Sequence, residues 1–289
     1  MADNPMKQAY RVSQELLKDS IRRSSPETLQ ILENIRQADV VVVQGQYDRI
    51  QDVLEISGMP YTLVNAERFD KAELRPDQIV FVNCPGQLSG RAINKLEGFV
   101  REGGFLFTTD WALRNVLQMA FPGYVEYNDR PTRDEVVRIE LLERDDPLLG
   151  TVLDASDDPQ WWLESSSYPI RVLNKEQVKI LIQSKEIEQR HGEAPVLVSF
   201  PYGEGVVYHM ISHFYLQRTE TRTARHAAPS MTYLASKGVT EGAFEKYEKL
   251  GAEELTTGQL ESALSSNTII LAALLRHKAR SGKATGRDE

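Results

Sequence analysis

Cysteine is nearly absent from this 289-residue chain, which contains only Cys84. One thiol excludes an intrachain disulfide and any zinc site built from several cysteines. The first residues, MADNPMKQAYRVSQ, lack the basic and apolar segments of a secretory signal peptide, so the expected location is the cytoplasm. No run approaches the roughly 18 to 20 consecutive apolar residues that a membrane-spanning helix requires, so we expect no membrane association.

Basic residues are outnumbered, since 34 Lys and Arg against 42 Asp and Glu give a formal net charge of -8. Affinity for nucleic acid depends on clustered Lys and Arg, so this balance argues against general nucleic-acid binding. Hydrophobic residues make up 41% of the chain and charged residues 26%, which is ordinary usage for a globular protein. The length suits one large domain or two small ones.

Short runs rich in β-branched residues alternate with amphipathic segments from residue 39 onwards. DVVVVQG at 39–45, QIVFVN at 78–83 and FLFTT at 105–109 are typical of strands buried on both faces. SGRAINKLEGFVRE at 89–102 places its apolar residues on one helical face, and two glycines end it. The alternation predicts a flavodoxin-like α/β fold with a mostly parallel sheet, helices on both faces and a ligand crevice at the carboxyl ends of the strands.

From Val136 onwards β-rich runs follow one another with little helix between them. They predict the remaining strands of the sheet and an antiparallel extension, with residues 145–167 as an irregular connection. Helices are predicted on both sides of this domain. The chain is predicted to consist of N-terminal helices at 1–38, the α/β domain at 39–217, a C-terminal helical segment packing on that domain at 218–278, and a disordered tail at 279–289.

Four stretches of the chain carry a resemblance to a known superfamily. They are VVVVQG at 40–45, IVFVNCPGQLSGRAINKLEGFVREGGFLFTTDWA at 79–112, RIELLERDDPLLG at 138–150, and APVLVSFPYGEGVVYHMISHF at 194–214. Together they resemble the class I glutamine amidotransferase superfamily, particularly its trehalose-utilisation-type branch and other members without glutaminase chemistry. The resemblance covers about 175 residues and implies the same α/β scaffold.

The elbow of this scaffold departs from the pattern of the glutaminases. In those enzymes the strand after the Gly-Gly turn ends in a tight elbow that presents a nucleophilic Cys, paired with a distant His and a Glu two residues beyond it. Here Asp110 occupies the elbow, and Tyr215 stands two residues after His213. The resemblance therefore implies a domain that does not hydrolyse glutamine.

Nine residues near the predicted strand ends are candidate site residues. Asp110 and His213 are the candidate catalytic pair, although Asp110 also suits the role of a helix cap. Cys84 could be an activated thiol or a small buried hydrophobic residue. Candidate ligand contacts are Gln44, Gly45, Gln46, Asn83, Cys84, Thr109 and Trp111.

Two further features have alternative interpretations. His209 lies four residues before His213 in a predicted strand, and with Asp110 the two could form a metal site or an acid/base pair. Two His without a third ligand at diagnostic spacing do not define a metal site, so neither metal nor cofactor is predicted. Trp161 and Trp162 could stack on a sugar or a partner, although packing against a sheet edge is commoner for such residues.

Three functional hypotheses follow. The first is a non-catalytic domain that binds a small polar ligand or a protein partner. The second is a hydrolase or isomerase acting on a small polar or sugar-like substrate, with Asp110 and His213 as acid and base. The third is a structural subunit whose N-terminal helices dock on a partner or on a second copy. Because the elbow lacks Cys, the first is favoured over an enzyme.

Overall fold

The computed structural model describes residues 4–142, 158–164, 166–216 and 220–285, with side chains up to residue 278. Strands and helices alternate through the first half, as the sequence predicts. The strands are β1 Val40–Val43, β2 Thr62–Val64, β3 Ile79–Val82, β4 Phe105–Thr109, β5 Val125–Tyr127, β6 Glu135–Arg138, β7 Glu140–Leu141, β8 Gln160–Leu163, β9 Ile170–Val172, β10 Lys179–Gln183, β11 Pro195–Tyr202 and β12 Gly205–Met210. The α-helices are α1 Pro5–Ser24, α2 Pro26–Glu33, α3 Ile50–Ser57, α4 Gly90–Arg101, α5 Gln118–Ala120, α6 Lys185–His191, α7 Ala224–Ala227, α8 Ser230–Ser236, α9 Glu241–Glu248 and α10 Thr257–Thr285.

The main sheet contains eight strands in the order β2-β1-β3-β4-β12-β11-β10-β7. The first five in this order pair in parallel, and the last three add an antiparallel extension next to β12. The predicted α/β class, with its mostly parallel sheet, is therefore confirmed. β5 with β9 and β6 with β8 form two small antiparallel pairs outside this sheet.

The β-branched runs form the centre of the sheet because they can be covered on both faces. Every residue of β1 and β3 is buried, as the uninterrupted apolar sequence requires. Helix α4 covers one face with Ile93, Leu96 and Val100, and Ser89 caps it by accepting the N–H of Ala92 at 3.2 Å. The parallel strands thus end together at one edge of the sheet.

Two long helices from opposite ends of the described chain, α1 and α10, pack against each other beside the sheet. The side-chain amide of Asn267 in α10 donates to Tyr10 O at 3.2 Å and to Ser13 Oγ at 2.7 Å in α1. α10 continues through Thr285, into the range predicted to be a tail. Residues 286–289 lie outside the described part. None of the described helices has the length and apolar character needed to cross a membrane.

The predicted irregular connection at 145–167 contains a regular strand. Trp161 and Trp162 belong to β8, which pairs with β6, and both are buried. Their indole N–H groups donate to Ser212 Oγ and to Glu220 O respectively. Packing therefore accounts for both rings, and stacking on a ligand does not. Residues 143–157, with the end of the RIELLERDDPLLG stretch, lie outside the described residues.

Candidate functional site

A pocket of about 180 Å³ opens at the edge where the parallel strands end. Each of its lining residues follows a strand: β1, β3, β4, β8 or β12. Ligand crevices of open α/β sheets lie at this edge. Four of the lining residues are among the candidates from the sequence, and two are not. The lining residues are Tyr47, Cys84, Asp110, Trp111, Glu164 and His213.

Asp110 adopts a left-handed backbone conformation, with φ 46°, directly after β4. A non-glycine residue in this region is strained, and such strain collects at functional sites. Its carboxylate does not serve as the cap suggested by the sequence. Instead Oδ1 accepts the N–H of Tyr168 at 3.0 Å, and Oδ2 accepts the hydroxyl of Ser167 at 3.3 Å. Burial raises the pKa of this carboxyl group.

The His213 imidazole lies between two carboxylates and is 4% exposed. Its Nε2 is 3.3 Å from Asp110 Oδ2, and its Nδ1 is 3.1 Å from Glu164 Oε2. Burial alone would lower the pKa of this imidazole, but the contacts with Asp110, Cys84 and Glu164 outweigh it and hold the pKa well above its ordinary value. The predicted pair thus meets at contact distance inside the pocket.

Cys84 is the third polar group at the base of the pocket. Its Sγ lies 3.9 Å from Asp110 Oδ2, and the residue is 1% exposed. Burial, with the nearby charge of Asp110, raises the pKa of the thiol to about 11. Helix α4 begins only at Gly90, so its amino terminus does not activate the thiol. The geometry therefore opposes the activated-thiol hypothesis.

Asp48, which the sequence analysis missed, anchors the segment that carries His213. Its buried carboxylate accepts the N–H groups of Phe214 and Tyr215 at 3.0 to 3.2 Å. It also accepts the hydroxyl of Thr109 at 2.9 Å, and Thr109 Oγ1 in turn accepts the N–H of Cys84 at 3.1 Å. The Asp48 carboxylate thus connects the chain after β1 with the chain after β12 and the last residue of β4, and through Thr109 with the chain after β3.

Helices α1 and α10 also form hydrogen bonds with the segment that carries His213. The hydroxyl of Tyr10 donates to Phe214 O at 2.5 Å and accepts the N–H of Leu216 at 3.0 Å. Ser266 donates its hydroxyl to Phe214 O at 2.7 Å. These polar contacts are buried, so they hold the backbone next to His213 in one position.

Aromatic rings form the wall of the pocket. Tyr47 meets Trp111 edge to face with 5.2 Å between ring centroids, and Trp111 stacks on Tyr168 at 5.6 Å. The indole N–H of Trp111 donates to Ser166 O at 2.7 Å, which fixes the ring. Tyr47 follows the predicted Gln46 directly, whereas no pattern in the sequence marks Glu164.

The three candidates after β1 do not line the pocket. Gln44 and Gln46 are exposed. Gly45 lies against the chain after β3, where an added Cβ would stand 2.2 Å from Cys84 O and 2.6 Å from Asn83 Cβ. A side chain there would collide with backbone, so the close approach of the two strand ends requires glycine.

Asn83 and Thr109 are buried beneath the pocket rather than lining it. Asn83 Oδ1 accepts the N–H of Ile50 at 3.2 Å, and its amide donates to Gln51 Oε1 at 3.0 Å. These bonds fix the start of α3 to the end of β3. Both residues therefore hold the strand ends in place.

His209 is separated from the site because β12 ends at Met210, and strand alternation does not continue to His213. Its Nδ1 lies 2.8 Å from Thr108 Oγ1, and burial lowers its pKa to about 3. Among the residues that the structure describes, donor atoms of Cys84, Asp110 and His213 converge, all within 4.8 Å of one another. This group, and not the two histidines, could hold a metal ion.

Comparison with known proteins gives structural neighbours only. No family model matches the chain, and no curated protein matches it. Gan42B, a GH42 β-galactosidase from G. stearothermophilus, aligns with 61% of the chain at 14% identity and a TM-score of 0.40. A cytoplasmic protein from Salmonella typhimurium aligns with 69% at 13% identity and a TM-score of 0.45, over 97% of its own length.

A ThuA-like protein from Bacteroides uniformis aligns with 60% of the chain at 10% identity and a TM-score of 0.43, over 80% of its own length. The aligned part spans 27% of the length of the β-galactosidase.

The architecture of this chain is α/β, with a mostly parallel eight-stranded sheet flanked by helices and additional helices at 5–33 and 224–285.

Proposed function

We propose that the chain is a non-glutaminase domain on an amidotransferase-like scaffold and that its pocket binds a small polar ligand. The observation that carries the proposal is the convergence of six side chains from five strand ends on one pocket. The strained elbow at Asp110 supports the scaffold assignment, because it stands where the resemblance puts the nucleophilic Cys. No thiol occupies that elbow.

The lining indicates the class of ligand. A concave pocket lined by six side chains from five strand ends suits a small molecule better than a protein surface. Asp110 and Glu164 repel anions, while their oxygens accept hydrogen bonds from hydroxyl or amine groups. Tyr47 and Trp111 offer ring surface to the apolar face of a sugar or to a cationic group. The ligand is therefore a neutral polyhydroxylated compound or a small amine.

A second candidate function is a hydrolase or isomerase that uses Asp110 and His213 as acid and base on a small polar or sugar-like substrate. The 3.3 Å contact between the two side chains favours it, because such partners must reach a common reacting atom. Replacing Asp110 with Asn should then abolish turnover of a sugar or glycoside panel while binding persists. Turnover that survives the substitution would exclude this pair.

A thermal-shift screen of sugars, polyols and amines, run with EDTA, tests ligand binding without metal. A true ligand at 100-fold its Kd should raise Tm by about 5 °C. Trp111→Ala should reduce the shift, whereas Tyr61→Phe, which changes an aromatic residue bonded to Glu55 outside the pocket lining, should retain it. Shifts unaffected by Trp111→Ala, or none from any compound, would contradict the proposal.

A further inference from the structure

The side chains of Cys84, Asp110 and His213 supply sulfur, oxygen and nitrogen donors at the base of one pocket. All three residues are buried, and the donor atoms lie within 4.8 Å of one another. We propose that they bind one divalent cation of the zinc class, with the fourth position open to the pocket. Three protein ligands and one open position are typical of catalytic zinc sites.

Two separations measured from Asp110 Oδ2 are close to those of tetrahedral coordination. Bonds of the usual zinc lengths place such donors roughly 3.3 to 3.6 Å apart. Asp110 Oδ2 is 3.3 Å from His213 Nε2 and 3.9 Å from Cys84 Sγ. The first distance already fits, and the second requires the thiol to move by a few tenths of an ångström.

Two of the three ligands, His213 and Asp110, also contact a second group, as metal ligands commonly do. A metal-binding His almost always donates its other ring N–H to a carboxylate or carbonyl. Here Glu164 Oε2 lies 3.1 Å from His213 Nδ1, which leaves Nε2 for the cation. The Asp110 carboxylate accepts the N–H of Tyr168 and the hydroxyl of Ser167, so its orientation is fixed.

His213 provides an independent reason to expect a ligand. The residue is 4% exposed, and Nε2, the ring nitrogen 3.3 Å from Asp110 Oδ2, makes no aligned hydrogen bond with the residues that the structure describes. A buried polar atom without such a bond is costly. A cation between Nε2 and Asp110 Oδ2 would give both atoms a partner. It would also offset the negative charge of the two carboxylates in the pocket.

The donor set also selects the metal. Thiolate and imidazole favour Zn²⁺ and similar ions, whereas Mg²⁺ and Ca²⁺ prefer oxygen ligands. On binding, the thiol and the Nε2–H of His213 both release their protons to solvent, so that Nε2 presents its lone pair while Nδ1–H donates to Glu164. This inference deepens the proposed function and rests on the same pocket. Coordination would occupy Nε2 and Oδ2, so Asp110 and His213 could not also act as a free acid/base pair.

Cobalt spectroscopy on the full chain tests the site directly. After treatment with EDTA and dialysis, Co²⁺ titration should saturate at one ion per chain, with a sulfur-to-cobalt charge-transfer band and visible bands of tetrahedral Co²⁺. Cys84→Ser, a nearly isosteric change, should remove the charge-transfer band. Glu164→Gln should weaken Co²⁺ and Zn²⁺ binding about 10 to 100-fold. His191→Gln, whose ring contacts Glu135 outside the pocket, should behave as wild type.

Two results would overturn the inference: no stoichiometric Co²⁺ binding by the folded wild-type chain, or a charge-transfer band that persists in Cys84→Ser. Circular dichroism of each variant establishes that it is folded. The ligand screen in EDTA is scored separately. A sugar or amine that binds without metal, together with failed Co²⁺ binding, would remove the metal site and leave the proposed function intact.

Discussion

Replacing Asp48 should strongly destabilise the protein, although no pattern in the sequence marks this residue. The side chain is fully buried, and three donors outside its own turn bond to it: Phe214 N–H, Tyr215 N–H and the Thr109 hydroxyl. Asp48→Ala leaves these groups without their acceptor, and each buried orphan costs roughly 1 to 3 kcal/mol. We expect a loss of about 4 kcal/mol in the free energy of unfolding.

Asp48→Asn should cost much less, about 1 to 2 kcal/mol. Its amide oxygen can still accept both backbone N–H groups, and its NH₂ group can donate to Thr109 Oγ1 once that hydroxyl rotates. The charge, and with it the stronger charge-assisted bonds, is lost. The ratio of the losses in unfolding free energy for Asp48→Ala and Asp48→Asn distinguishes a hydrogen-bonding role from one of packing alone.

Urea unfolding followed by circular dichroism measures both variants. Asp52→Ala serves as the matched control, because Asp52 lies near the same helix start and pairs with the exposed Arg49. Its effect should remain within about 0.5 kcal/mol. A cost below about 1 kcal/mol for Asp48→Ala, or equal destabilisation by Asn and Ala, would contradict the hydrogen-bonding role of this carboxylate.

Three more predictions concern close packing, a buried ion pair and acid stability. Gly45→Ala should cost about 2 to 3 kcal/mol in urea unfolding, because its Cβ would collide with Cys84 O, whereas Gly90→Ala, with open space around it, should be harmless. Glu261→Gln should cost about 2 kcal/mol by the same assay, less than a fully buried pair, because its bidentate partner Arg225 is 40% exposed. His209 has a pKa of about 3 when folded, so the unfolded chain takes up its proton first and stability falls as pH drops below about 6.5. His209→Asn should therefore lose about 2 kcal/mol less than wild type between pH 7 and pH 5; equal losses would contradict the assignment.

The main sheet could be predicted because its central strands have an unambiguous sequence. Val40–Val43 and Ile79–Val82 are apolar at every position, and only a strand covered on both faces suits such short runs. The position of the elbow at Asp110 could be predicted because two glycines precede β4 and the apolar run ends at Thr109. The same reasoning located Asp110 and Cys84 at strand ends, where the pocket lies.

The remaining parts of the site depend on contacts that no local pattern records. Glu164 reaches His213 because β8 forms a pair with β6, outside the main sheet. Asp48 matters because two N–H groups distant in sequence point at it. His209 was grouped with His213 on the assumption that the strand continued, but β12 ends between them. In each case the position of the residue in the folded chain, and not its residue type, determines whether it contributes to the site.

The bracing of Phe214 by α1 and α10 also determines how the protein opens. Tyr10 and Ser266 both donate to the carbonyl oxygen of Phe214, so detachment of either helix breaks a buried hydrogen bond to the backbone beside His213. The two helices and the segment 213–216 should therefore open as one cooperative unit in native-state hydrogen exchange. An occupant of the pocket would then slow amide exchange in α1, although it touches no residue of that helix.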